Sequence, residues 1–209
     1  MSSIDKDSTT LRSRFGKVLV VAIWLIGVVV IVSLFLPFEL LVTIRTLPVV
    51  AFCAYGIWIL FWSPSVTIAP SGVTVRNLIR SSEVTWPAIQ RVDTRFALTL
   101  FTSAGKIVAW SAPAPGRHSV FRATRPELSR LPESTYGVGD SIRPGDIPQS
   151  ESGLAALYVR RYWEQLRDAG FLDSGAVEGT GVRTRWLVRE TLILGGLLLL
   201  SALVLALIP

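Results

Sequence analysis

The chain has 209 residues, half of them hydrophobic, with one cysteine, one histidine and a formal net charge of +6. A lone cysteine excludes an internal disulfide, and a lone histidine without a cluster of partners argues against a metal site. The positive excess is spread out, with five basic and three acidic residues in 1–62 and sixteen and twelve in 63–209, so it points away from nucleic acid.

Residues 1–17 read as a cytoplasmic N-terminal tail containing Lys6, Arg12, Arg14 and Lys17. Val18–Trp62 follows with only two charged residues, Glu39 and Arg45. A spanning helix needs about 20 apolar residues. Val18–Phe38 meets that alone and Leu47–Trp62 supplies a shorter second run, so residues 18–62 predict a transmembrane helical hairpin with its turn at Pro37–Pro48. The run is longer than a signal core and ends without a small-x-small cleavage site, which predicts a retained anchor. Cys53 is a small hydrophobe within the second run.

Ser65–Ala69 and Val73–Asn77 are predicted strands around a turn at Pro70-Ser71-Gly72, and Leu78–Thr85 continues as a third strand. Trp86-Pro87 marks a corner, because a residue before proline is pushed out of the helical region. Ile89–Val92 fits a brief helical turn or a strand. Phe96–Thr102 alternates, with Phe96, Leu98 and Leu100 on one side, and Ser103–Lys106 turns it into Ile107–Trp110. Residues 112–150 read as a long loop, with one short strand at His118–Arg122.

Glu151–Ala169 is a predicted amphipathic helix. Ala155, Tyr158, Val159, Tyr162, Leu166 and Ala169 share a face, while Arg160, Glu164, Arg167 and Asp168 point away. Ser150 is the expected N-cap and Gly170 the stop. Residues 171–181 read as a linker. Residues 182–209 read as a C-terminal transmembrane helix that carries the apolar run Leu192–Ile208. Basic residues before the first helix (Arg12, Arg14, Lys17) and before the last (Arg183, Arg185, Arg189) place the N-terminus and the soluble part in the cytoplasm.

Strands, an irregular stretch and then one helix suggest a small rolled sheet covered by a terminal helix. Pro70-Ser71-Gly72-Val73-Thr74-Val75-Arg76, Val84-Thr85-Trp86-Pro87-Ala88-Ile89 and the hairpin after them resemble bacterial pleckstrin-homology-like domains beside membrane helices. The resemblance is closest to the family named for the mycobacterial low molecular weight protein antigen 6. It implies two antiparallel sheets of about seven strands with a C-terminal helix, and no catalytic residues. The fold class expected is therefore three α-helical spans plus a small mainly-β pleckstrin-homology-like domain over residues 63–170. Residues 63–178 are expected to fold as a soluble monomer.

No chemical constellation stands out. His118 reads as an exposed loop or strand-edge residue, with a role in polar binding as the alternative. Gly137-Val138-Gly139-Asp140 lacks the lysine and flanking elements of a phosphate loop. Glu127, Glu133, Asp140 and Asp146 are loop carboxylates expected to be solvated, and Trp86 and Trp110 are expected in the core. The expectation is a non-enzymatic, multi-pass membrane protein with no cofactor, presenting a binding or scaffold module at the cytoplasmic face. The alternative is an accessory or regulatory subunit of a membrane transport or envelope-assembly complex. Partners expected are the lipid bilayer with anionic headgroups and a membrane protein. Arg183, Arg185 and Arg189 beside the last span, together with Arg91 and Arg95, are the candidate membrane-surface contacts.

Overall fold

The computed structural model describes residues 8–35, 40–115, 135, 144–172 and 181–207. Along the chain these form β1 (Thr9–Leu11), α1 (Arg14–Phe35), α2 (Leu40–Ile57), β2 (Ser65–Ala69), β3 (Gly72–Arg76) and β4 (Arg80–Val84). Then come β5 (Ile89–Asp93), β6 (Ala97–Thr102), β7 (Gly105–Pro113), α3 (Glu151–Asp168), β8 (Val182–Trp186) and α4 (Val188–Leu207). The chain divides into two units, Met1–Arg12 with Pro64–Arg185, and Ser13–Ser63 with Trp186–Pro209.

The first unit is a mainly-β domain with a helix after its strands. Among the described residues it has a five-stranded sheet in the order β1-β2-β3-β4-β8 and a three-stranded sheet in the order β5-β6-β7. Alternation turns Val66, Ile68, Val73, Val75 and Val84 of the first sheet and Leu98 and Leu100 of the second into one core, which α3 closes with Ala155, Ala156 and Val159. Gly72 opens β3 at φ +148°, and a Cβ there would lie 2.2 Å from the Val84 carbonyl oxygen, so only glycine fits the turn after Pro70-Ser71. Trp86 sits in a single helical turn, Trp86–Ala88, and Ile89 goes straight into strand. Its indole N–H donates to the Ala69 carbonyl at 3.0 Å and its ring stacks on Tyr162 at 4.5 Å, tying α3 to the corner of the sheet. Ser150 caps α3 by accepting from the Gly153 N–H at 2.9 Å, and the chain turns away at Gly170.

Several expectations are corrected. Val182–Trp186 is an outer strand of the five-stranded sheet, so the last helix begins at Val188. The N-terminal tail also contributes a strand, with Thr9, Thr10 and Leu11 pairing with Ile68, Thr67 and Val66. Phe96 precedes β6 and is 78% exposed. Trp110 is 56% exposed because it alternates with the buried Ala109 and Ser111 and so lies on the outer face of β7. Arg160 points inward and Asp146 is buried, although both were expected in solvent. Ala112 and Pro113 complete β7. His118–Arg122 and Gly137–Asp140 lie outside the described residues.

The second unit contains three helices long and apolar enough to cross a membrane, Arg14–Leu34, Leu40–Trp62 and Val188–Leu207. At most 6% of each helix's most apolar window is buried inside the chain. α2 packs against both α1 and α4. The Trp24 indole N–H donates to the Ala54 carbonyl at 3.1 Å, Gly27 faces Val50 and Gly56 faces Leu194. The expected turn at Pro37–Pro48 is shorter, because α2 already begins at Leu40 and carries both Arg45 and Pro48. Proline there removes one backbone donor from the helix.

Candidate functional site

β5 has the sequence Ile89-Gln90-Arg91-Val92-Asp93; Ile89 is buried and Arg91 is exposed, because the register shift between them interrupts the alternation. Arg91 pairs with Phe101 of β6, and its guanidinium lies 4.2 Å from that ring's centroid. At the strand's end one oxygen of Asp93 accepts from the N–H groups of Thr94 (2.7 Å) and Arg95 (3.1 Å). The Phe96 carbonyl accepts from the Ala114 N–H at 2.9 Å, so the backbone of the exposed Phe96 is fixed at both sides. The Arg95 guanidinium lies 5.2 Å from the Phe96 ring. Both arginines therefore stand against aromatic faces, an arrangement that holds the cation in place while leaving it open to an anion.

The two edges of the three-stranded sheet differ. The β7 edge is closed by Asn77, whose amide donates to the Val108 carbonyl at 2.8 Å and accepts from the Trp110 N–H at 3.0 Å. On β5, Gln90 is exposed and falls in the register shift against β6 between Ile89 and Arg91. The Val92 carbonyl points outward and accepts from Arg160 Nη2 at 3.2 Å.

Arg160 is the centre of a buried polar cluster. Its Nη1 donates to Asp146 Oδ1 at 2.6 Å and to the Thr135 hydroxyl at 3.3 Å, and the same Asp146 oxygen accepts from the Thr94 hydroxyl at 2.7 Å. Asp146 reaches this position on the short turn Pro144–Asp146. The turn presses so close to β5's end that a Cβ on Gly145 would lie 1.9 Å from the Thr94 carbonyl oxygen. Held by a guanidinium and a hydroxyl, Asp146 is engaged as an ion-pair partner, and the cluster fixes α3 alongside β5. Between these two elements lies a cleft of about 160 Å³ lined by Ile89, Gln90, Arg91, Val92, Arg160 and Trp163.

Of the predicted contact residues, Arg91 and Arg95 fall together at this end of the three-stranded sheet. Arg183 and Arg185 lie two residues apart on the exposed strand β8, and Thr184 between them shares a 3.1 Å hydrogen bond with Ser82. Arg185 is 3.9 Å from Glu83. Arg189 belongs to the first turn of α4, in the helical unit. Sequence reasoning missed Asp146, Arg160 and the cleft. The available signal was the position of Arg160 directly after the buried Val159.

Residues 63–137 match the family described as Bacterial PH domain. That match supports a bacterial PH-like domain. No curated protein and no solved structure matches the chain. The matched stretch takes in β2 to β7 of the PH-like domain, while β1, α3 and β8 lie beyond it. PH-like domains are generally non-catalytic, and a membrane- or lipid-associated binding module is the kind of part this one suggests.

Proposed function

We propose that this chain is a three-span membrane protein that holds its PH-like domain, as a non-enzymatic binding or scaffold module, at the cytoplasmic face. The observation that carries the reading is the origin of the two outer strands of the five-stranded sheet. Only Arg12 and Ser13 separate β1 from α1, and only Leu187 separates β8 from α4. β1 and β2 are paired neighbours, which supports a two-span hairpin for the chain between them. The basic residues around Arg12–Lys17 and Arg183–Arg189 favour the cytoplasm as that side. Arg183, Arg185 and Arg189 then serve as membrane-surface contacts, with Arg91 and Arg95 as a second basic group, each gaining around 1 kcal/mol from anionic lipid. Kinship with the family named for antigen 6 is the narrower form of the same reading.

Single cysteines at Ser8 and at Ser103, in a Cys53→Ala background, test the topology. Both positions are exposed within the PH-like unit. Both should resist an impermeant maleimide in intact cells and react after lysis. Labelling of both in intact cells would move the domain to the other face. Labelling of one alone would break the shared-sheet topology.

A further inference from the structure

We infer that the β3–β4 turn, Asn77–Arg80, is a membrane-contact tip, at which Ile79 enters the headgroup layer and Arg80 meets lipid phosphate. The inference rests on reading the three apolar helices as membrane spans, and adds to that reading a contact which the other arginines do not supply. Strand direction carries it. β1 passes from Leu11 through Arg12 and Ser13 into α1, and the span Leu40–Trp62 returns through Ser63 and Pro64 into β2. Leu11 pairs with Val66, Ser65 pairs with Arg76, and Arg76 pairs in turn with Ser81. β8 runs antiparallel to β4, since the Thr85 N–H donates to the Gly181 carbonyl at 3.4 Å while Thr184 bonds to Ser82. β8 therefore ends beside the start of β4, and only Leu187 separates it from α4. All three passages between this sheet and the spans fall at one end of its strands, and the β3–β4 turn belongs to that same end. Three peptide steps reach at most about 11 Å, so strand ends joined this closely to spans stand at the bilayer surface.

Charge selects the lipid. Arg12, Arg76, Arg80 and Arg185 gather at this end of the strands, with Glu83 3.9 Å from Arg185. The described residues of the opposite end, Ser8–Thr9, Ala69–Gly72, Val84–Thr85 and Gly181–Val182, carry no charge. A sheet that is basic at one end only fits an anionic headgroup layer. The turn itself is built to reach it. Turns favour glycine, proline and short polar residues, yet Ile79 stands here 42% exposed with the exposed Arg80 beside it. Its base is held, because the Asn77 N–H donates to the Arg80 carbonyl at 2.9 Å and the Asn77 side chain bonds to Val108 and Trp110 of β7. An apolar side chain on a fixed base loses little freedom on entering the interface, and a neighbouring cation adds attraction to phosphate. Trp186, the exposed last residue of β8, is an aromatic of the kind enriched at membrane interfaces.

The test uses the full chain, with Cys53→Ala, in nanodiscs of phosphatidylcholine and phosphatidylglycerol. Three single cysteines carry an environment-sensitive fluorophore: Ile79→Cys at the tip, Ser71→Cys at the turn on the opposite end, and Leu199→Cys in α4, where the native side chain is 72% exposed. Lipids bearing a nitroxide on the headgroup should quench the label at position 79 at least about threefold more than the label at 71. Lipids bearing a nitroxide on the acyl chain should quench the label at 199. Adding Arg80→Glu should lower the quenching at 79 by about half or more, because one attractive charge becomes repulsive. Equal quenching at 79 and 71, with 199 quenched, overturns the inference and leaves the spans standing. No quenching at 199 overturns the membrane reading and the tip with it. A blue-shifted label at 79 that lipid nitroxides do not quench assigns the turn to a protein contact instead. Quenching at 79 that ignores Arg80→Glu overturns the role given to Arg80. None of these readings depends on which face is cytoplasmic.

Discussion

Arg160 Nη1 lies 2.6 Å from Asp146 Oδ1 with both side chains under one-tenth exposed, so a buried charge pair clips α3 to the turn that precedes it. Taking two charges out of water is costly. Here the cost is offset by bonds to Thr94, Thr135 and the Val92 carbonyl. The pair fixes the distance between β5 and α3, and with it the width of the cleft.

Removing one partner should therefore be worse than removing both. Asp146→Ala leaves Arg160 buried and unpaired, and should cost about 3–5 kcal/mol. Adding Arg160→Met should recover a large share of that loss, since an apolar side chain of similar length needs no counter-charge. Thermal unfolding of the purified full chain in detergent reads both. A double variant no more stable than Asp146→Ala alone would show that the charge pair is not the source of the effect.

The aromatic residues give a second contrast. Trp86 is 3% exposed and bonded to Ala69, and Trp86→Ala should destabilise the PH-like domain by about 3–5 kcal/mol. Phe96 and Trp110 are more than half exposed, and their alanine variants should each stay within about 0.5 kcal/mol of the parent. Hydrogen exchange on β2 and β3 distinguishes the cases. A loss at Trp110→Ala as large as at Trp86→Ala would restore Trp110 to the core.

Much of the local structure is legible in the sequence. The hairpin through Ser103-Ala104, the Pro70-Ser71-Gly72 turn, the Ser150 cap and the stop at Gly170 are local chemistry, decided within a few residues. What escaped depends on partners far away in the chain. Thr9–Leu11 is too short to announce a strand, and only the edge offered by β2 makes it one. Val182–Trp186 alternates but abuts an apolar helix, so the helix period overran it. Arg160 and Asp146 each read as surface residues, and burial becomes affordable only when they meet. Trp110 alternates outward between Ala109 and Ser111, and which face of β7 meets the core is decided by its pairing with β6.

Two glycines with positive φ should behave differently on substitution. Gly72 has φ +148° and would place a Cβ 2.2 Å from the Val84 carbonyl oxygen, whereas Gly105 has φ +123° and open space around it. Gly105→Ala should cost about 1 kcal/mol from backbone strain alone, and Gly72→Ala distinctly more because β4's backbone must also move. Equal melting temperatures for the two variants would mean the turn at Gly72 relaxes freely.

The outer strands set the last expectation, and they revise the one drawn from sequence. A fragment of residues 63–178 contains the β2–β7 core and α3 but lacks both β1 and β8. Its five-stranded sheet is reduced to β2-β3-β4, with β2 and β4 as naked edges. Unprotected edges pair with other chains, so this fragment should self-associate in solution where the sequence alone suggested a monomer. Restoring one edge, by joining residues 8–12 to the front through a flexible Gly/Ser linker, should reduce association, because Leu11 returns to the core and Thr10 regains its 3.1 Å hydrogen bond to Thr67. Light scattering after size exclusion, at protein concentrations up to about 100 μM, a range in which exposed edges aggregate, decides the matter. A monomeric 63–178 fragment with an unchanged melting temperature would show that β1 and β8 decorate the sheet without protecting it. The direct strand connections to the helices would then be a tether and nothing more.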